Sequence, residues 1–145
     1  MLNKTHLAIG IFFMLFFLSR IVHVWAYVIV FVIATLLPNL DRFIYFNGLK
    51  IVGAVRSRKR GFFHSFTFCF IVTFLLAWFF PIVAFPFFLG YGVHLLADSW
   101  TIDGIKPFWP LRYVSKGNVR DGGSFEYILF YSFVVADFVM LWFLF

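Results

Sequence analysis

Acidic side chains are scarce in this sequence: there are 6 Asp and Glu among 145 residues, and Glu126 is the only glutamate. Charged residues of both signs make up 12%, and hydrophobic ones 63%. Soluble domains average about 25% charged and 45–50% apolar residues, so a water-soluble globular domain is excluded. A mean hydropathy of +0.98 fits an integral membrane protein. There is one cysteine, Cys69, which rules out an intramolecular disulfide. Internal repeats and low-complexity tails are also missing, and the length leaves room for one membrane domain, 1–145. Phenylalanine is plentiful, at 25 residues, often where leucine would serve; lipid-facing positions accept either.

Five apolar segments stand out, at about 5–18, 21–37, 62–80, 82–98 and 126–145. Crossing a bilayer takes roughly 20 residues, with about 17 as the lower limit. The third and fifth meet this comfortably, the second and fourth are near it, and the first is short. The expected fold is therefore an all-α integral membrane protein, a small bundle of about five (four to five) transmembrane helices. The first two segments are expected to form a hairpin rather than one long helix. "FFPIVAFPF" places Pro81 and Pro86 where a break and reversal suit segments three and four. Lys4 before the apolar run 7–18 resembles the start of a signal peptide. "FFLSRIVHVW" offers no small-residue cleavage site, so the N-terminus is expected to stay as mature structure.

The net charge of +6 is not a nucleic-acid signal, and no nucleic-acid partner is expected. In a membrane protein Lys and Arg report which helix ends face the cytoplasm. With five spans, the N-terminus and the loops 38–61 and 99–125 share one face. Of the 12 Lys and Arg only Arg20 falls on the other. That predicts a cytoplasmic N-terminus and an outside C-terminus in the inner membrane. The same topology gathers His6, Asp41, His64, His94 and Asp98 at the cytoplasmic end, drawn from four segments, while His23 lies near the far face.

His94 and Asp98 stand one helical turn apart and project from the same helix face. Imidazole nitrogen and carboxylate oxygen both bind divalent metals. Exposing such a pair to lipid is costly, so it should face the bundle interior or the interface. The plain alternative is that the two only hydrogen-bond to each other at a helix end.

"KTHLAIG", "LLPNLDR", "KRGFFHS" and "GYGVHLLADSWTIDGIKPFWPLR" follow one another in an order that resembles the YdjM-like family of (LexA-regulated) membrane-bound, metal-dependent hydrolases. That pattern runs Thr-His, Pro-Asp-x-Asp, His-Arg-Gly-x-Thr-His-Ser, then Gly-Tyr-x-x-His-Leu-x-x-Asp-x-x-Thr-x-x-Gly, and is matched from residue 4 to about 115. The last motif is the most specific. The resemblance implies a multi-pass protein with a hydrolase-like metal site, remotely similar to zinc-dependent phospholipase C. Carried over by position, it implies His6, Asp41, His64, His94 and Asp98 as ligands. The implied metal is zinc, with manganese or iron as alternatives. Asn39 stands for the family's first aspartate, Lys59 for its first histidine and Phe63 for its threonine. These departures point to a single ion, or a weakened catalyst, where a full set would hold two.

The expected chemistry is metal-assisted hydrolysis of a phospholipid or another phosphoester, with Asp98 or Asp41 accepting the proton of water. Lys59, Arg60 and Lys106 suit an anionic head group, and Asn39 and Asp103 are possible outer-shell partners. "RSRKR" also reads as a topology signal touching anionic lipid. Trp100, Trp109 and Tyr113 suit an interfacial loop, and "SKGNVRDGGS" reads as a flexible one. Glu126 falls in the first turn of the last helix, where a carboxylate favours the positive helix end. Asp137, eleven residues on, lies about 16 Å further along the helix; it is expected to bond within the bundle or to serve function. The alternative function is a non-catalytic metal-binding or transport protein.

Overall fold

The structure is a computed structural model and describes residues 1–39 and 62–144. Five α-helices and no strands occur among the described residues: α1 (Asn3–Leu18), α2 (Val24–Leu36), α3 (Phe66–Phe79), α4 (Pro81–Ser99) and α5 (Ser124–Leu144). By length and composition only α4 and α5 are suited to cross a membrane. The other three are shorter apolar helices of 16, 13 and 14 residues.

The helix ends follow local chemistry. α1 stops where the polar pair Ser19–Arg20 interrupts the apolar run, and the chain turns before α2, giving the expected hairpin. The Tyr27 hydroxyl donates to the Met14 carbonyl across it, at 3.2 Å. Leu37–Asn39 extends α2 by a 3-10 turn, and another, Phe62–His64, precedes α3. His64 therefore sits in this turn ahead of α3. Ser65 caps α3 by accepting from the Phe68 N–H at 3.2 Å. Pro81 occupies the first turn of α4, where its missing N–H costs nothing. The reversal lies at Phe80–Pro81. Pro86 is no part of it; this proline lies inside α4 and is buried.

α4 is the central element and sorts its residues by helical periodicity into three stripes. Phe87, Tyr91 and Leu95 pack with Ala34 of α2, Cys69 of α3 and Ile105. Val93 and Ala97 pack with Met1 and Ile9 of the α1 end. Between them runs the stripe Gly90, His94, Asp98, also buried. Most of α4 is thus enclosed, whereas α5 packs chiefly on α1 and fully buries only Glu126 and Asp137.

Residues 100–123 fold back under the helix ends. Ile105 and Ser115 exchange two backbone hydrogen bonds of 2.9 Å, and a parallel bridge joins Thr101 to Val119. The stretch read as a flexible loop is therefore paired over Ser115–Val119. Gly104 has φ +62°, and a Cβ there would meet the Ser115 carbonyl oxygen at 2.1 Å, so the turn requires glycine. Trp100, Trp109 and Tyr113 are exposed, as an interfacial loop requires.

Gly90 sets the distance between α2 and α4. A Cβ at this position would lie 2.5 Å from the Phe31 carbonyl oxygen and 3.0 Å from Thr35 Oγ1. Gly90→Ala is expected to force the two helices apart and to destabilise the fold by about 1–3 kcal/mol. Gly92→Ala, with nothing within 4 Å of its added Cβ, is expected to leave stability unchanged or slightly raised. Thermal unfolding in detergent, followed by dye labelling of the buried Cys69 thiol, separates them. Equal melting temperatures would contradict this α2–α4 packing.

Candidate metal centre

His6 enters the site from the first turn of α1, His94 and Asp98 from the last turns of α4, and His64 from the 3-10 turn ahead of α3. All four side chains are buried, and Asp98 is only 1% exposed. Three imidazole Nε2 atoms surround its carboxylate. His6 Nε2 lies 3.1 Å from Oδ1, His94 Nε2 3.4 Å from Oδ2, and His64 Nε2 3.7 Å from Oδ2. The Met1 amino group is 3.2 Å from Oδ1 and 2.8 Å from Asp121 Oδ1. The His6 and His94 rings stack with centroids 4.0 Å apart, and the His64 ring meets His94 edge-on at 5.9 Å.

The other ring nitrogens decide the protonation pattern. His94 Nδ1 is 2.7 Å from the Thr35 carbonyl oxygen, and His6 Nδ1 is 3.1 Å from that of Leu2. A carbonyl only accepts, so both Nδ1 atoms carry hydrogen and donate. In the neutral rings Nε2 is then a bare lone pair, and on both rings it faces Asp98. His94 Nε2 has no aligned hydrogen-bond partner among the described residues. The plain alternative, a simple His94–Asp98 hydrogen bond, is therefore not what the geometry contains.

An Nε2 atom facing a carboxylate needs a proton of its own or a shared cation; His6 Nε2 is within hydrogen-bond distance of Oδ1, which the Met1 amino group also reaches, and His94 Nε2 has neither among the described residues. Protonating both rings would stack two imidazolium charges at 4.0 Å, whereas one divalent ion would serve both nitrogens and the carboxylate together. One donor atom from each of His6, His94 and Asp98 can be chosen so that all lie within 4.8 Å of one another. Zinc bonds of about 2.0–2.2 Å in a tetrahedron set neighbouring ligands roughly 3.3 Å apart; the 3.1 Å contact of His6 runs to Oδ1 and the 3.4 Å contact of His94 to Oδ2, so one shared oxygen would need a small adjustment to reach that spacing. Nδ1–H donation to a carbonyl is also the usual outer support of a metal-bound histidine. The His6, His94 and Asp98 cluster could thus hold a metal ion.

Of the remaining expected site residues, Asp41, Lys59 and Arg60 lie outside the described residues. The Asn39 side chain donates to Asn3 Oδ1 at 3.2 Å. Asp103 is exposed and Lys106 half-buried. Asp137 is buried in α5, but its Oδ1 lacks a hydrogen-bond partner among the described residues, so the expected bond is not made by that oxygen. Thr35 and Leu2 contribute a backbone carbonyl each, which has no side-chain signature in the sequence. By sequence Glu126 reads as a helix-end charge only. Glu126 is in fact buried and accepts from the Leu2 N–H, the Thr5 hydroxyl and the Gly122 N–H. Its standing as the one glutamate in an acid-poor chain was the available signal.

No curated protein and no solved structure matches the chain. A family model described as YdjM inner membrane protein matches residues 1–143, nearly the whole length, including every residue of the cluster. With that match the chain belongs to the YdjM inner membrane protein family.

Proposed function

We propose that this protein is a multi-pass inner-membrane hydrolase, with one divalent cation, zinc foremost, held by His6, His94 and Asp98, and with His64 beside them. Its substrate would be a phospholipid or another phosphoester presented at the cytoplasmic face. The observation that carries this reading is the pair of Nε2 atoms turned onto one buried carboxylate, with His94 Nε2 unsatisfied. An ion bound there supplies Lewis acidity towards a scissile phosphoryl oxygen and lowers the pKa of water.

The chain's own residues do the rest. The Thr35 and Leu2 carbonyls hold the two imidazoles in one tautomer. Asp98 or Asp41 would take a proton from the attacking water. The exposed aromatics of the 100–123 loop sit well at head-group depth, where Lys106 would meet an anionic group. Asp41, Lys59 and Arg60 keep their expected roles in this proposal.

Five spans fit the same reading. α1 is about 24 Å long by its 16 residues, and α2 with its 3-10 extension is about as long, both short of the roughly 30 Å hydrocarbon core. Tilt is then small, and the interface must come down to meet the site. The charge asymmetry assigns the N-terminus to the cytoplasm and the C-terminus to the outside. One observation favours the second reading, a non-catalytic metal-binding or transport protein: the buried, unsatisfied Asp137 carboxyl oxygen deep in α5.

Detergent-purified protein is expected to carry about one zinc or manganese per chain by mass spectrometry, and the His94→Ala/Asp98→Ala double variant none. The loaded protein is expected to release phosphate esters from phospholipid vesicles, read by phosphorus NMR. Bound metal without turnover on phosphoesters would favour the transport reading, and absence of metal after reconstitution would sink both. Orientation is checked separately. A thiol placed by Asn3→Cys is expected to react with an impermeant maleimide only from the cytoplasmic side, and labelling from outside would overturn the five-span topology.

A further inference from the structure

We infer that residues 108–113 form a finger that docks in the cytoplasmic leaflet and takes anionic phospholipid head groups there; this rests on the membrane orientation proposed above and deepens the lipid substrate of that reading. The six residues, Phe-Trp-Pro-Leu-Arg-Tyr, are all exposed, and Leu111 and Tyr113 are each 63% exposed. Turns that face water are usually built from Gly, Asn, Asp and Ser, and this one has none of them. Contiguous apolar side chains left open in this way mark a surface that something else covers.

The finger is held at its root by a built frame. Ile105 is buried in the core shared with α2, α3 and α4, and its backbone is paired with Ser115. The Phe66 N–H donates to the Pro107 carbonyl at 2.8 Å and ties the finger to the first turn of α3. At the tip the Leu111 N–H donates to the Phe108 carbonyl at 2.7 Å, and the Trp109 ring meets Phe62 edge-on with centroids 5.0 Å apart. The root thus lies where α4 ends and α3 begins, two apolar helix ends that the five-span orientation sets at the cytoplasmic surface of the bilayer.

Charge decides what kind of surface the finger fits. Between residues 104 and 120 there are four basic side chains, Lys106, Arg112, Lys116 and Arg120, and no acidic one. Arg112 belongs to the finger itself and is exposed. Trp and Tyr interleaved with Arg and Lys suit the bilayer–water interface, the rings among the head groups and the cations on their phosphates. Arginine adds a bidentate grip on a phosphate. Phe66 follows His64 by two residues, so a head group held by the finger is presented on the side from which His64 enters the cluster.

The test places a fluorescent dye on the finger of the full chain, reconstituted in vesicles of phosphatidylcholine and phosphatidylglycerol. Cys69 is buried, so a thiol introduced by Leu111→Cys takes the dye selectively. Asn118→Cys marks an exposed polar position of the same loop for comparison. At position 111 the dye is expected to be quenched by lipids spin-labelled near the head group, and several-fold less than at 118 by aqueous iodide. Spin-labelled phosphatidylglycerol is expected to quench it more than spin-labelled phosphatidylcholine at equal membrane content. Arg112→Gln added to that variant is expected to cut the preference roughly two- to fivefold, the scale of one basic residue near an anionic surface.

Equal iodide quenching at the two positions would overturn the inference. So would a dye shielded from iodide yet untouched by the lipid quenchers, which would mean contact with a second copy or another protein. Equal quenching by the two lipids would overturn the assignment to anionic head groups. If Leu111→Cys does not fold, Tyr113→Cys carries the dye with the same expectations, and failure of both would make the finger part of the packing instead. The readout needs neither metal nor turnover. A docked finger on a protein that binds no ion would overturn only the hydrolase reading; a finger left in water on a metal-loaded, active protein would overturn only this inference.

Discussion

A single buried carboxylate, Asp98, sets the terms for everything around it. A charge enclosed in an apolar bundle is tolerated only when other groups compensate it closely. Here the groups around it come from parts of the chain far apart in sequence: the Met1 amino group, which compensates the charge directly, and His6 from α1, His94 one turn earlier on α4 and His64 ahead of α3, whose Nε2 atoms face it. Each must be delivered to within about a bond's length of its place. The packing of α1, α2 and α4 is best understood as the means of delivery. Gly90 brings α2 close enough for the Thr35 carbonyl to hold His94, and the Val93–Ala97 stripe seats the start of α1 beside the site.

The choice of orienting groups follows from the same constraint. Both stacked histidines are held by backbone carbonyls, which fix a tautomer without adding charge. Among the described residues the other buried carboxylate near the site, Glu126, accepts from the Leu2 N–H and the Thr5 hydroxyl rather than from His6. In a bundle with 6 acidic residues altogether, this economy limits the negative charge at the centre. A divalent ion over one carboxylate leaves positive charge uncompensated. Under the proposed function such a centre would favour an anionic group.

Much of this was legible in the sequence, for physical reasons. Apolar run length marks helices in a membrane chain, because the backbone there must satisfy itself internally, and all five predicted segments contain a helix. Polar residues at the ends of such runs are costly, which singles out His6, Asp41, His64, His94 and Asp98; four of these lie together in the structure, and Asp41 lies outside the described residues. Pro81 read correctly as a break, since proline is easily placed in a first helical turn. Pro86 did not, because burial in α4 outweighed its missing N–H. The pairing of Ser115–Val119 was hidden as well: "SKGNVRDGGS" has turn chemistry, and only its partners at Trp100, Thr101 and Ile105 reveal order.

The illegible part is mostly backbone. Thr35 and Leu2 contribute through their carbonyls, and any residue at those positions offers the same atom, so no residue type betrays the role. What the sequence does encode is the permission for the contact, the glycine at position 90 whose side chain would have displaced α2. Glu126 is intermediate. Its residue type was visible, its partners were not, because they depend on α5 lying alongside the start of α1. Asp137 remains outside this logic. It is buried on α5 with one oxygen unsatisfied, and nothing in the described packing gives it a partner. A protonated acid tolerates a buried, unpartnered position better than a charged one, so its carboxyl group stands apart from the charged cluster, eleven residues beyond Glu126 on the same helix.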